Sequence, residues 1–114
     1  MRITSPEIIN TVQKVLDNQV NKEIVNLINS WGGKAQALAG KRIKFIKAKK
    51  ISNKLLGEVG EIVNIQKKIT LNLPKNKIPV ISPIGWDKKL KPLNINGDNV
   101  CLLYTSDAAD ERTW

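Results

Sequence analysis

The most suggestive group of polar side chains in this sequence is Asn94-Ile95-Asn96-Gly97-Asp98. The alternation of an extended strand sets Asn94 and Asn96 on one face, and Gly97 permits a close backbone approach. Two amides and a carboxylate beside an apolar stretch could hydrogen-bond a small polar ligand. Asn, Gly and Asp are also ordinary turn formers, so residue chemistry alone favours a turn here. The segment from Gly40 to Lys50 is the densest basic run. It could follow a phosphate backbone with Phe45 as a stacking platform. With only that aromatic in the run, a solvated strand with Ile43, Phe45 and Ile46 facing inward is the expected use. Gly32-Gly33 and Gly57-Glu58-Val59-Gly60 lack the spacing of a Walker loop or a dinucleotide fingerprint and read as turns.

What is absent narrows the chemistry further. The chain has no histidine and one cysteine, Cys101. Ser-His-Asp and Cys-His mechanisms within the chain, Cys/His zinc sites and an intramolecular disulfide are therefore excluded. The net charge of +9 points toward nucleic acid. Yet 16 of the 19 basic residues are lysine and three are arginine (Arg2, Arg42 and Arg112). Lys, Ile and Asn all have AT-rich codons, and base composition explains their abundance at least as well as phosphate binding does. The longest apolar runs, such as Ile78-Pro79-Val80-Ile81, fall far short of the ~20 residues that cross a bilayer, and the first residues do not resemble a signal peptide. A soluble intracellular protein is the expectation.

The elements that would position these residues follow from periodicity. Ser5-Pro6-Glu7 is a helix start, with a capping hydroxyl, a first-turn proline and an acid at the positive dipole end. Apolar residues at helical spacing then run to Trp31, predicting one long helix or two abutting ones over 5–31, stopped by Gly32-Gly33. Exposure of its apolar face would point to a dimer; packing into the core is the expected use. Lys34–Ala39 reads as a buried strand of small residues. Arg42–Lys50 and Glu58–Ile65 read as strands of a hairpin or meander, with Asn53 and Gly57 marking turns. A short helix fits 67–73, ended by Pro74. Ile78–Ile84 suits a strand buried on both faces, Gly85–Lys89 a turn, and Leu93–Asp98 the approach to a helix. Helices alternating with buried strands predict an α/β architecture.

At Cys101 the texture changes. Lysine and isoleucine vanish, and Cys101–Glu111 resembles, residue for residue, the translated read-through of a common transposon-end sequencing adaptor. Residues 101–114 are expected to be a non-native tail, leaving 1–100 with 18 basic and seven acidic residues.

Read together, several stretches resemble the N-acetylglutamate kinase family in order and spacing. They are Arg2-Ile3-Thr4; Val20–Val25 with Leu27-Ile28-Asn29; Gly32–Ala35 with Gly40-Lys41; Leu56–Glu61; Ile78–Gly85; and Asn94–Asp98. The resemblance covers essentially all of 1–100, roughly a third to a half of a domain of usual size. It implies part of an amino-acid-kinase fold, an open and mostly parallel sheet between helix layers. It also implies the arginine-biosynthesis step in which ATP phosphorylates the side-chain carboxylate of N-acetyl-L-glutamate. Two anions meet in such a site, so it needs cations, Mg²⁺ and helix N-termini.

By the same resemblance, Arg2 would grip the substrate, with a guanidinium suited to a carboxylate. Asn94 would hydrogen-bond it, and Asp98 would organise the family's catalytic lysines. Gly97 stands where alanine is common, and Arg42 where aspartate is usual. The family's Lys-x-Gly-Gly strand end, glycine-rich substrate loop, second catalytic lysine and adenine pocket lie outside the chain. ATP and Mg²⁺ are thus expected in the full-length enzyme and not on this fragment, which is expected to be inactive. The implied partners are N-acetyl-L-glutamate and, at full length, copies of itself, with no nucleic acid and no membrane, in a cytoplasm or a plastid stroma. A small basic nucleic-acid-binding protein is the alternative.

Overall fold

The computed structural model describes residues 4–51 and 56–103. Helix α1 spans Pro6–Lys14 and starts as its sequence dictates: the Ser5 side chain accepts a hydrogen bond from the Ile8 amide, with Pro6 and Glu7 in the first turn. It continues through a π-helical segment, Val15–Val20, into helix α2, Asn21–Ser30. The Asn21 amide donates five residues back to Leu16, the signature of the wider π turn. Helix α2 ends where the Gly33 and Gly32 amides return to Ile28 and Asn29, with Gly32 at a φ of 91°. The Asn29 side chain then accepts from the Ala35 amide at 2.6 Å and fixes the entry into the first strand.

Six short strands follow: β1 Ala35–Leu38, β2 Ile46–Lys50, β3 Gly60–Ile65, β4 Ile78–Ile81, β5 Ile84–Trp86 and β6 Pro92–Asn94. A short helix α3, Lys67–Leu71, lies between β3 and β4, and α4 covers 97–103. Strands β1 and β4 form a parallel pair, and the other four form a sheet in the order β3-β2-β5-β6. In that sheet β2 and β5 meet in parallel at Lys47 and Trp86, while β2–β3 and β5–β6 are antiparallel. The architecture is mixed α/β, as expected, with parallel pairing at β1–β4 and β2–β5.

The main core gathers Leu38, Phe45, Ile46, Ala48, Ile65, Leu93, Ile95 and Val100. The expected strand Arg42–Lys50 begins only at Ile46, and Phe45, just before it, can face inward beside its neighbour because strand alternation has not yet started. A second cluster packs Ile9 and Val12 of α1, with Leu16 of the π segment, against Ile84 and Trp86.

Three elements differ from the expectation. Ile78–Ile84 is two strands in two different sheets, because Pro83 has no N–H to continue a ladder and the chain crosses between sheets at Ser82-Pro83. Strand β4 is accordingly not buried on both faces, and Ile78 is exposed. Gly85 and Trp86 belong to β5, and the turn lies beyond them, closed by the Leu90 and Lys91 backbones bonding Asp87. The apolar face of the long helix is only partly covered: Val20, Ile24, Leu27 and Trp31 stay exposed, Trp31 at 85%. The turn signal Asn53 lies outside the described residues, and α4 runs across the expected boundary at 100/101.

Candidate functional site

The site is built where chain segments far apart in sequence cross. Thr4 is buried and forms a lone parallel bridge with Gly57. Its amide donates to Leu56 at 2.9 Å, and its carbonyl accepts from the Glu58 amide at 2.6 Å. Gly57 adopts a φ of 69°, and a Cβ there would collide with the Thr4 carbonyl. Only glycine meets both conditions, the left-handed backbone and the close approach. One residue on, the Glu58 carbonyl accepts from the Asn94 amide at 2.9 Å, and Val59 bridges Asn94. The four-stranded sheet thus curls until the start of β3 meets the end of β6.

This curl brings Asn94 to Thr4. The Asn94 side-chain amide donates to the Thr4 hydroxyl at 3.3 Å, across 90 positions of sequence. Arg2, the expected carboxylate grip, lies outside the described residues, two positions before Thr4. Asn94 is half-buried at the end of β6. Asn94 and Asn96 do not act as a matched pair on one strand face, because β6 ends at Asn94 and Asn96 instead starts α4. The Asn96 side chain accepts from the Asp98 amide at 2.9 Å, and its carbonyl takes the Asn99 and Val100 amides. Asp98 is therefore exposed in the first turn of α4, where the helix dipole favours its negative charge.

Pro83 supports this end of the site from below. Its carbonyl accepts from the Ile95 amide at 3.2 Å, and Gly97 sits over its ring. Ser82, beside it, is held by the buried Asn21 side chain, whose amide donates to the Val80 carbonyl at 3.0 Å and to the Ser82 hydroxyl at 3.1 Å. One helical turn earlier, Asp17 is also buried. Gln13 donates to its Oδ2 at 2.9 Å, while its Oδ1 and the Asn21 Oδ1 have no partner. Burial pushes the Asp17 carboxyl above the usual carboxylate range, opposed in part by Gln13, Ser82 and the Gly40 backbone. Asp17, Asn21 and Ser82 were not among the site residues expected from sequence. Their signal was there: Asp17 and Asn21 are polar residues four apart amid Leu16 and Val20.

Five of the family-like stretches therefore meet around this site through hydrogen bonds: Thr4, Glu58, Pro83, Asn94 and, one layer deeper, Asn21. The sixth, Gly32–Ala35, joins them through the Ile78 amide on the Lys34 carbonyl. Chemically, this is a rim of amide and hydroxyl groups with a carboxylate at a helix start. Among the described residues no cluster of three or more His, Cys, Asp or Glu could hold a metal ion. None of their helices is long and apolar enough to cross a membrane.

The comparisons point one way. Acetylglutamate kinase of Azoarcus sp. strain BH72 is 45% identical over 111 residues, covering 88% of this chain and 37% of the relative. Acetylglutamate kinase of Petrotoga mobilis is 41% identical, covering 86% and 33%, and that of Sulfurimonas denitrificans 40%, covering 94% and 38%. The chain thus spans little more than a third of the length of the curated relatives it matches. No protein-family model matches it. Among solved structures, smu.665 from Streptococcus mutans UA159 superposes with a TM-score of 0.84 at 26% identity, over 96% of this chain and 45% of that one.

Proposed function

By sequence the chain belongs with the acetylglutamate kinases, and on that premise we propose that it carries part of the N-acetyl-L-glutamate site of such an enzyme. The observation that carries this reading is the hydrogen bond from Asn94 to Thr4, the threonine of Arg2-Ile3-Thr4. It supports the reading because it joins Asn94 to the Arg-x-Thr stretch from which a substrate carboxylate would be held. In the proposal Arg2 pairs with a carboxylate, Asn94 hydrogen-bonds the ligand, and Asp98 orients catalytic lysines contributed by the rest of the enzyme.

In the whole enzyme a side-chain carboxylate oxygen of N-acetyl-L-glutamate attacks the γ-phosphorus of ATP. The new bond is an acyl phosphate, the bond to ADP breaks, and charge builds on the transferring phosphoryl group. The described residues offer no cradle for Mg²⁺, so no step is assigned to them through the metal or the nucleotide. In the same proposal the whole enzyme serves arginine biosynthesis, in a cytoplasm or plastid stroma. The exposed stripe Val20, Ile24, Leu27 and Trp31 supports a homo-oligomer.

Isothermal titration of the chain with N-acetyl-L-glutamate tests the site, with N-acetyl-L-glutamine as the control lacking the side-chain carboxylate. Saturable heat for the first ligand and a clearly weaker response for the second is expected. Equal responses, or none, refute the site. With ATP and Mg²⁺ added, background phosphoryl transfer is expected, and turnover well above background refutes the inactivity of the chain alone.

A further inference from the structure

A groove of about 950 Å³ lies at the β2–β5 junction of the four-stranded sheet, and neither Asn94 nor Asp98 lines it. Its walls carry seven lysines: Lys47, Lys49 and Lys50 of β2, Lys44 just before it, and Lys88, Lys89 and Lys91 of the β5–β6 turn. Two carboxylates line it, and both are already engaged. Glu58 pairs with Lys50 at 3.0 Å, and the Asp87 Oδ1 accepts from the Lys89 and Lys91 amides at 2.8 and 2.9 Å. Lys49 pairs with Glu61 at 3.3 Å. Among the described residues, Lys44, Lys47, Lys88, Lys89 and Lys91 have no carboxylate within ion-pair distance. Base composition explains how many lysines the chain has; it does not explain why unpaired ones converge on one groove.

The backbone is unusual at the same place. Lys44, at a φ of 48°, and Leu90, at 61°, are the described non-glycine residues with positive φ, and both line the groove. The β2–β3 register also shifts between Lys47 and Ala48, a bulge in the groove wall. Left-handed backbone is strained for a residue with a Cβ, and such strain and bulges gather where a side chain must be aimed. The floor is apolar, made by the buried Ala48 and Trp86 and the exposed Val63 and Leu90.

We propose that this groove docks an acidic polypeptide segment carrying apolar side chains, its carboxylates on the lysine rim and its apolar groups on the Val63–Leu90 floor. Three features favour a peptide over a nucleic acid. Among the described residues the rim has no arginine fork for phosphate, and the floor is apolar. Trp86, the one aromatic residue lining the groove, is only 5% exposed and offers no face on which a base could stack.

The test uses the 114-residue chain, with fluorescence anisotropy of a labelled peptide of alternating glutamate and leucine. Unlabelled glutamate-alanine peptide, inorganic polyphosphate and oligo-dT serve as competitors. Lys88→Glu with Lys89→Glu is expected to weaken peptide binding about tenfold or more, while the same charge change at the exposed Lys68 and Lys75 costs about twofold or less, since rim charges act locally. All four side chains are solvent-exposed, so circular dichroism should be unchanged. Equal loss in the two double variants, or no binding by the parent chain, overturns the groove as a docking surface. Oligo-dT or polyphosphate displacing the peptide more effectively than the glutamate-alanine peptide overturns the assignment to a polypeptide.

Discussion

Replacing Gly57 with alanine tests whether the crossing at Thr4 is as tight as the site requires. Gly57 and Gly32 both sit in the left-handed region, at φ values of 69° and 91°. A Cβ at Gly32 would meet nothing within 4 Å, whereas at Gly57 it would strike the Thr4 carbonyl. Gly32→Ala therefore carries the conformational cost alone, about 1 kcal/mol. Gly57→Ala carries that cost and must also push Thr4 away. That move breaks or stretches the Thr4–Leu56 and Glu58–Thr4 backbone bonds, each worth about 0.5–1.5 kcal/mol net. The expected total is about 2–4 kcal/mol, a large share of the 5–15 kcal/mol typical of a small domain.

In urea, with a slope of about 1 kcal/mol per molar, the Gly57→Ala midpoint should fall roughly 1–3 M below that of Gly32→Ala. Equal midpoints for the two variants would show that Thr4 is not held against Gly57, and the alignment of Thr4 with Asn94 would lose its support.

Other outcomes follow from single side chains. Asp17 holds its proton to higher pH when folded than when unfolded, so its contribution to stability is greatest below the usual carboxylate range and is lost as pH rises through the folded value. Asp17→Asn should thus be more stable than the parent at pH 7, with the gap closing on acidification; thermal melts at several pH values check this, and a gap that widens in acid contradicts it. Asn94→Asp removes the donor to Thr4 and sets a negative charge against an anionic ligand. N-acetyl-L-glutamate binding should weaken about 10–100-fold in titration calorimetry, and unchanged affinity rules Asn94 out. Leu93→Ala empties the core directly beneath the site, where Leu93 is 1% exposed, and should cost about 2–5 kcal/mol in urea unfolding.

Much of the fold was legible because the signals were local. The Ser5-Pro6 start, the Gly32-Gly33 stop and the inward pattern of Phe45 and Ile46 each depend on residues within a turn or two. The errors arose where a long-range partner decides. Ile78–Ile84 reads as one apolar run because hydropathy does not register that Ser82 is pinned by Asn21, 61 residues away, or that Ile84, just past Pro83, begins a strand in another sheet. The exposed helix stripe has the same cause. Periodicity identifies an apolar face without saying what covers it. At the site, Asn94 and Asp98 were visible as a polar group, but the contact with Thr4 spans 90 positions and could be anticipated only through resemblance.

Apart from those of the lysine groove, three local irregularities of the chain converge on one segment. The π turn exists between α1 and α2, and the first residue after it, Asn21, is the one that grips Val80 and Ser82. A regular α-helix would rotate Asn21 by part of a turn relative to α1, whose Ile9 and Val12 are already committed to Ile84 and Trp86. The wider turn lets both faces dock at once. What the helix then holds is the Ser82-Pro83 crossing, and Pro83 in turn carries Ile95 and Gly97, between Asn94 and Asp98. Departures from regular geometry concentrate where local rules yield to a site. Here the π turn, the sheet crossing at Pro83 and the left-handed Gly57 all bear on the segment from Asn94 to Asp98, which is why that segment, rather than any single motif, is where the chain's chemistry should be sought.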